Sequence, residues 1–88
     1  MKYLIQKHCV ATELCTIALG RIQDYYYGTP KYHISRDFFP TEMEVDLYGF
    51  TSEAEARKVL EQRMKRAPLE CGDGMWEVEY SIVTVPEV

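Results

Sequence analysis

The sequence predicts an α+β fold: an antiparallel sheet of about four or five strands with one helix packed across one face, in the rough order β-β-β-β-α-β. Three stretches carry that prediction. Residues 51–68, TSEAEARKVLEQRMKRAP, repeat apolar side chains at helical spacing. Residues 42–50, EMEVDLYGF, and 75–85, MWEVEYSIVTV, alternate apolar with polar side chains, as half-buried strands do. A one-sided helix and one-sided strands each need cover, so they become the two layers of one core.

The helix is the best-defined element. Ser52 stands where an N-cap belongs, and Glu55 three residues on completes an S-x-x-E capping box. Ala56, Val59, Leu60, Met64 and Ala67 form the apolar stripe. Glu53 with Arg57 and Glu61 with Lys65 are i,i+4 pairs in the favourable order, each contributing ~0.2–0.5 kcal/mol. Acidic residues lie at the start and Arg63, Lys65 and Arg66 towards the end, in line with the helix dipole. Pro68 is expected to stop the helix.

The remaining elements follow in chain order. Residues 2–10, KYLIQKHCV, read as a strand with Tyr3, Ile5 and Cys9 on one face and Leu4, His8 and Val10 on the other. Apolar side chains on both faces suit a central strand. Residues 11–23 admit two readings. Thr12 can cap a helix over Leu14, Ile17, Ala18 and Ile22, but Gly20 would cost such a helix ~1 kcal/mol relative to Ala. The favoured reading is a loop over 11–16 and a strand over 17–27, closed by the turn at Gly28-Thr29-Pro30. A short return strand is expected at 31–35 and a loop at 36–41, where Pro40 holds Phe39 out of helical geometry. In the strand expected at 42–50, Glu42, Glu44 and Asp46 face solvent and Met43, Val45 and Leu47 face the core. After the turn-rich LECGDG at 69–74, the last strand directs Trp76, Val78, Tyr80 and Ile82 one way and Glu77, Glu79, Ser81 and Val83 the other.

Composition narrows the function classes. With 88 residues the chain makes one small domain, 1–88, and at 47% hydrophobic and 27% charged it is globular rather than disordered. No apolar run approaches the ~18 residues of a membrane span, and MKYLIQKHCV is too interrupted for a signal peptide, so a cytoplasmic protein is expected. A net charge of −4 argues against direct nucleic-acid binding and suits a protein partner with a basic surface. Three cysteines, an odd and low count, fit free and mostly buried thiols.

Few residues offer chemistry. His8, Cys9, Cys15, His33 and Cys71 are the right types for zinc, but no C-x-x-C or H-x-x-x-H spacing occurs, and neighbours His8 and Cys9 diverge on a strand. Nothing near a thiol supplies the orienting third group of a Cys-His nucleophile. Acids on a solvated strand face are more often a solubility device than an acid–base pair, and Gly72-Asp73-Gly74 precedes a strand rather than a phosphate-binding helix. No catalytic residue, cofactor or metal is therefore assigned. The candidate partner-binding residues are the acids Glu42, Glu44 and Asp46 and the aromatics Tyr25, Tyr26, Tyr27, Phe38 and Phe39. Three consecutive tyrosines on a strand cannot all face the core, and tyrosine is enriched at interface hot spots.

The segments KHCVAT at 7–12, DYYYG at 24–28, YGFTSEAEAR at 48–57 and SIVTV at 81–85 resemble a type of small bacterial and prophage orphan protein. In size, charge and architecture the chain also resembles the small anti-CRISPR and other anti-defence proteins of phages. That resemblance implies a stoichiometric, non-enzymatic inhibitor of a nucleic-acid-handling protein. Such proteins share no common motif, so no functional residue carries over. The alternative is a homodimeric accessory protein that pairs through its tyrosine-rich edge; a small enzyme or metal protein ranks last.

Overall fold

The computed structural model describes residues 1–15, 21–29 and 38–86. Its elements run β1 (Lys2–Ala11), β2 (Ile22–Tyr27), α1 (Glu42–Tyr48), α2 (Glu53–Glu70) and β3 (Trp76–Val85). The fold is α+β, and the described residues form a three-stranded antiparallel sheet in the order β2-β1-β3. The strands expected at 2–10 and 75–85 form, and the first of them is the central one. The expected return strand at 31–35 and residues 16–20 of the ambiguous stretch lie outside the described residues.

The order β-β-β-β-α-β needs one clear correction. Residues 42–48 are a helix, not a strand. Thr41 caps it: its hydroxyl accepts from the Glu44 amide, and the Glu44 carboxylate accepts from the Thr41 amide at 2.7 Å. This is a T-x-x-E capping box. Over seven residues an alternating pattern also fits two helical turns, and the cap decides between them. Glu42 and Glu44 in the first turn favour the same outcome through the helix dipole. Of the three apolar residues only Val45 is buried; Met43 and Leu47 are exposed. The chain then turns at Gly49 and Phe50 bonds to Tyr3 in both directions, adding one rung beside β1 where β2 has ended.

Strand register separates the two faces of the sheet. Ile5 pairs with Tyr27 and Ile82, Lys7 with Tyr25 and Tyr80, and Cys9 with Gln23 and Val78. Those residues face α2. The core consists of Ile5, Tyr27, Phe50, Ala56 and Tyr80, with Val59, Leu60 and Ala67 of α2 and Tyr3, Val78 and Ile82 of the sheet packed around it. The other face carries Gln6, His8 and Val10, paired with Tyr26, Asp24 and Ile22 on β2 and with Ser81, Glu79 and Glu77 on β3.

Helix α2 departs from expectation at three points. Ser52 is the N-cap residue, but its side chain makes no capping bond. The helix runs through Pro68 to Glu70. Proline's fixed φ is helical, but Pro68 removes one amide donor, and the helix ends two residues later. Met64 is 53% exposed, and Arg63 takes the inward position instead, with its guanidinium 4.1 Å from the centre of the Tyr27 ring. The stripe that meets the sheet is Ala56, Leu60, Arg63, Ala67 and Glu70, a four-three-four-three spacing with two charged members.

Gly28 marks the tightest approach among the described glycines. A Cβ there would lie 2.0 Å from the Tyr48 carbonyl oxygen, and the neighbouring Thr29 amide donates to that oxygen. The end of β2 thus locks onto the end of α1. Between α2 and β3, Gly72, Asp73 and Gly74 all take positive φ, the left-handed conformation that reverses the chain in a short span. No helix among the described residues is long and apolar enough to cross a membrane.

Ile5 is completely buried at the centre of this arrangement. We predict that Ile5→Ala costs ~2–5 kcal/mol in urea denaturation, from lost burial and the cavity left behind. A loss below about 1 kcal/mol would place the core elsewhere. Gly28→Ala should also destabilise strongly, since backbone rather than a movable side chain blocks the added methyl.

Candidate interaction surface

Three arrangements of polar or exposed side chains stand out. The first is enclosed between α2 and the sheet. The Glu70 carboxylate accepts from the Lys7 ammonium through one oxygen and from the Tyr80 hydroxyl, at 2.6 Å, through the other. Lys7 also lies 5.3 Å above the Tyr25 ring. Burial alone would raise the Glu70 pKa, but the Lys7 and Tyr80 donors outweigh it and hold the carboxyl below its ordinary 4.5. Burial alone would lower Lys7, but Glu70 outweighs that and raises it. Burial and the Glu70 charge together raise Tyr80 well above its ordinary value. Each carboxylate oxygen is engaged, so the cluster clamps α2 to the sheet.

The second arrangement lies on the face of the sheet turned away from α2. His8 Nδ1 is 2.5 Å from an Asp24 carboxylate oxygen. Val10, Glu77, Val78 and Glu79 border a shallow hollow beside it, of about 300 Å³. An oriented imidazole is one part of many catalytic sites, but no thiol joins it: Cys9 emerges on the α2 face, where burial pushes its pKa up and disfavours the thiolate. Cys15 is buried and Cys71 donates to the Ala67 carbonyl. Among the described residues no three His, Cys, Asp or Glu side chains gather as metal ligands.

The third arrangement is α1 and its approach. Met43 and Leu47, four residues apart, share one face of the helix and are 70% and 62% exposed. Phe38, just before the cap, is 77% exposed, and Phe39 is 48% exposed while its ring meets Tyr26 edge-on at 5.2 Å. Glu42 and Asp46, also four apart, are exposed on the same helix. Helical spacing therefore yields an apolar pair flanked by an acidic pair, on a short element capped at its start and fastened to β2 at its end.

The sequence-derived candidates divide accordingly. Glu42 and Asp46 are exposed, but on a helix rather than a strand face; Glu44 is committed to the cap. Phe38 and Phe39 lie next to that helix. The tyrosines do not form an outward patch. Tyr27 is buried under α2, Tyr26 is buried on the other face with its hydroxyl 3.1 Å from the Gln6 amide nitrogen, and Tyr25 is half-buried and bonded to the Gln23 side chain. Strand alternation does turn Tyr26 away from its neighbours, but Phe39 covers it. Met43 and Leu47 were missed because a strand reading placed them in the core. The T-x-x-E cap was the signal that could have exposed them.

No family model, no curated protein and no solved structure matches the chain.

The clamp sets a pH dependence whose sign can be derived. A carboxyl with a depressed folded pKa contributes stability that is fully present above its unfolded value and lost as pH falls through the folded value. Stability should therefore fall as pH drops below about 4.5, and Glu70→Gln should flatten that acid limb. Lys7 and Tyr80 act in the opposite sense: their contributions hold below pH ~10 and disappear above it. Chemical denaturation across pH checks both limbs. An unchanged acid limb in Glu70→Gln would mean that the clamp carries no stability.

Proposed function

We propose that the chain is a non-enzymatic protein-binding module whose contact surface is the α1 region: Phe38, Phe39, Met43 and Leu47, with Glu42 and Asp46 as an acidic rim. The observation that carries this reading is the exposure of Met43 and Leu47 on one helix face. Exposed large apolar side chains are normal singly; a grouped set rimmed by charge is the usual composition of a docking patch. The rim favours a partner with a basic surface, because opposite charges steer encounter and disfavour wrong partners. Nucleic-acid-handling proteins carry such surfaces, which keeps stoichiometric inhibition of one of them, as anti-defence proteins of similar size achieve, as the form of binding we favour. The acidic character of the chain speaks for the same partner class and against nucleic acid as the direct ligand.

The test separates anchoring from steering. Tagged protein is used to recover partners from a bacterial lysate, and the recovered protein is then purified for kinetics. Met43→Asp with Leu47→Asp should abolish recovery while the circular dichroism spectrum stays that of the parent. Glu42→Gln with Asp46→Gln should slow association by roughly threefold or more at low salt and flatten its salt dependence, the screening length being ~8 Å at physiological salt. Phe38→Ala should act on dissociation instead. If a partner binds all these variants within about twofold of the parent, its contact surface is not α1. Sedimentation equilibrium tests the homodimer alternative: a dimer that Met43→Asp dissociates would make a second copy the occupant of this surface.

A further inference from the structure

The outer edge of β3 has no neighbour among the described strands. β3 pairs with β1 on one side only, at the end of the order β2-β1-β3, and it is ten residues long. At ~3.3 Å per residue that is an edge of about 33 Å, longer than most strands in globular proteins. An edge presents backbone amides and carbonyls already spaced for another strand, and proteins that must stay monomeric usually blunt it with bulges, proline or inward charge. Here pairing with β1 is continuous from Trp76 to Val85, without a bulge, and the first proline comes after the strand, at Pro86.

The side chains along the edge say what could join it. Glu77 and Glu79 are exposed on the face away from α2, and neither makes a hydrogen bond or ion pair among the described residues. On the α2 side the same edge offers Val78 and Ile82, both half-buried. A second copy of β3 would bring two more glutamates to the same face. A strand with basic residues in alternate positions would instead place each beside a glutamate, at the ~4.5–5.5 Å Cβ spacing of cross-strand pairs, with its intervening apolar residues against Val78 and Ile82. We propose that the outer edge of β3 is a docking site for an extended segment of a protein partner in which basic and apolar residues alternate, added to the sheet as a further strand. This site is separate from the α1 surface and does not depend on it.

The experiment uses the isotopically labelled chain and a blocked peptide of about eight residues alternating Lys with Val or Thr, a length within the ordinary strand range. Saturable amide shifts along β3 are expected in two-dimensional NMR, with an otherwise identical Glu-containing peptide giving none. N-methylation of the peptide at every second residue should abolish binding in one phase and spare it in the other, because only alternate amides of an added strand bond to the edge. Glu77→Gln with Glu79→Gln should weaken binding by roughly threefold to tenfold at low salt, and Met43→Asp with Leu47→Asp should leave it unchanged. The proposal is overturned by any of four results: no saturable shift, shifts on α1 or α2 instead of β3, equal binding of the acidic peptide, or a dimer in sedimentation whose β3 amides are protected.

Discussion

The contact on which the arrangement depends is the carboxylate of Glu70, bonded at once to Lys7 on the central strand and Tyr80 on the edge strand. One side chain at the end of α2 thereby ties the helix to the central strand and to one edge strand. The apolar part of that interface is thin. Ala56 is its only fully buried helix residue, and Val59, Leu60 and Ala67 are half-buried. Apolar packing alone leaves the crossing of a helix on a sheet loosely specified; a partly buried carboxylate with two donors accepts one placement. Arg63 on Tyr27 adds a second polar constraint two turns earlier. Breaking either partner of such a pair costs more than the pair contributes, because a buried group is left unsatisfied.

That placement has consequences on the far side of the molecule. α2 claims one face of the sheet; among the described residues the other face carries His8, Asp24, Glu77 and Glu79, and Phe39 packs on its Tyr26. The 38–48 segment meets that face through Phe39 on Tyr26. It secures itself by local means: a capping box at Thr41, Val45 inward, and the lock between Tyr48 and the Gly28-Thr29 turn. Met43 and Leu47 are left exposed on this element. Core, clamp and proposed contact surface are separate regions, which is the usual division between a scaffold and the site it presents.

The layer architecture was legible in the sequence because the patterns behind it were long. β1, with apolar residues on both faces, suits a central strand, and the alternation of 75–85 groups Trp76, Val78, Tyr80 and Ile82 on one face, of which Val78, Tyr80 and Ile82 join the core. The misreadings have physical causes. At 42–48 the segment was too short for periodicity to separate strand from helix, and a cap three residues from Glu44 outweighed the alternation. In α2 the inward stripe contains Arg63 and Glu70, which a search for apolar residues skips; Met64 took the place of Arg63 for that reason. Pro68 reads as a stop, and the helix runs only two residues beyond it. The acids at 42 and 46 were recognised as exposed although their element was mistaken, since exposure followed from charge rather than from secondary structure.

The central claim is that the Glu70 clamp makes β1, β3 and the whole of α2 one unit, with α1 a separately secured surface element. Native-state amide hydrogen exchange tests it most directly. The account predicts that amides in the last turn of α2, around Leu69 and Glu70, exchange as slowly as those in the middle of β1, and that α1 exchanges faster than both. Fast, coil-like exchange in that last turn alongside a protected β1 would contradict it.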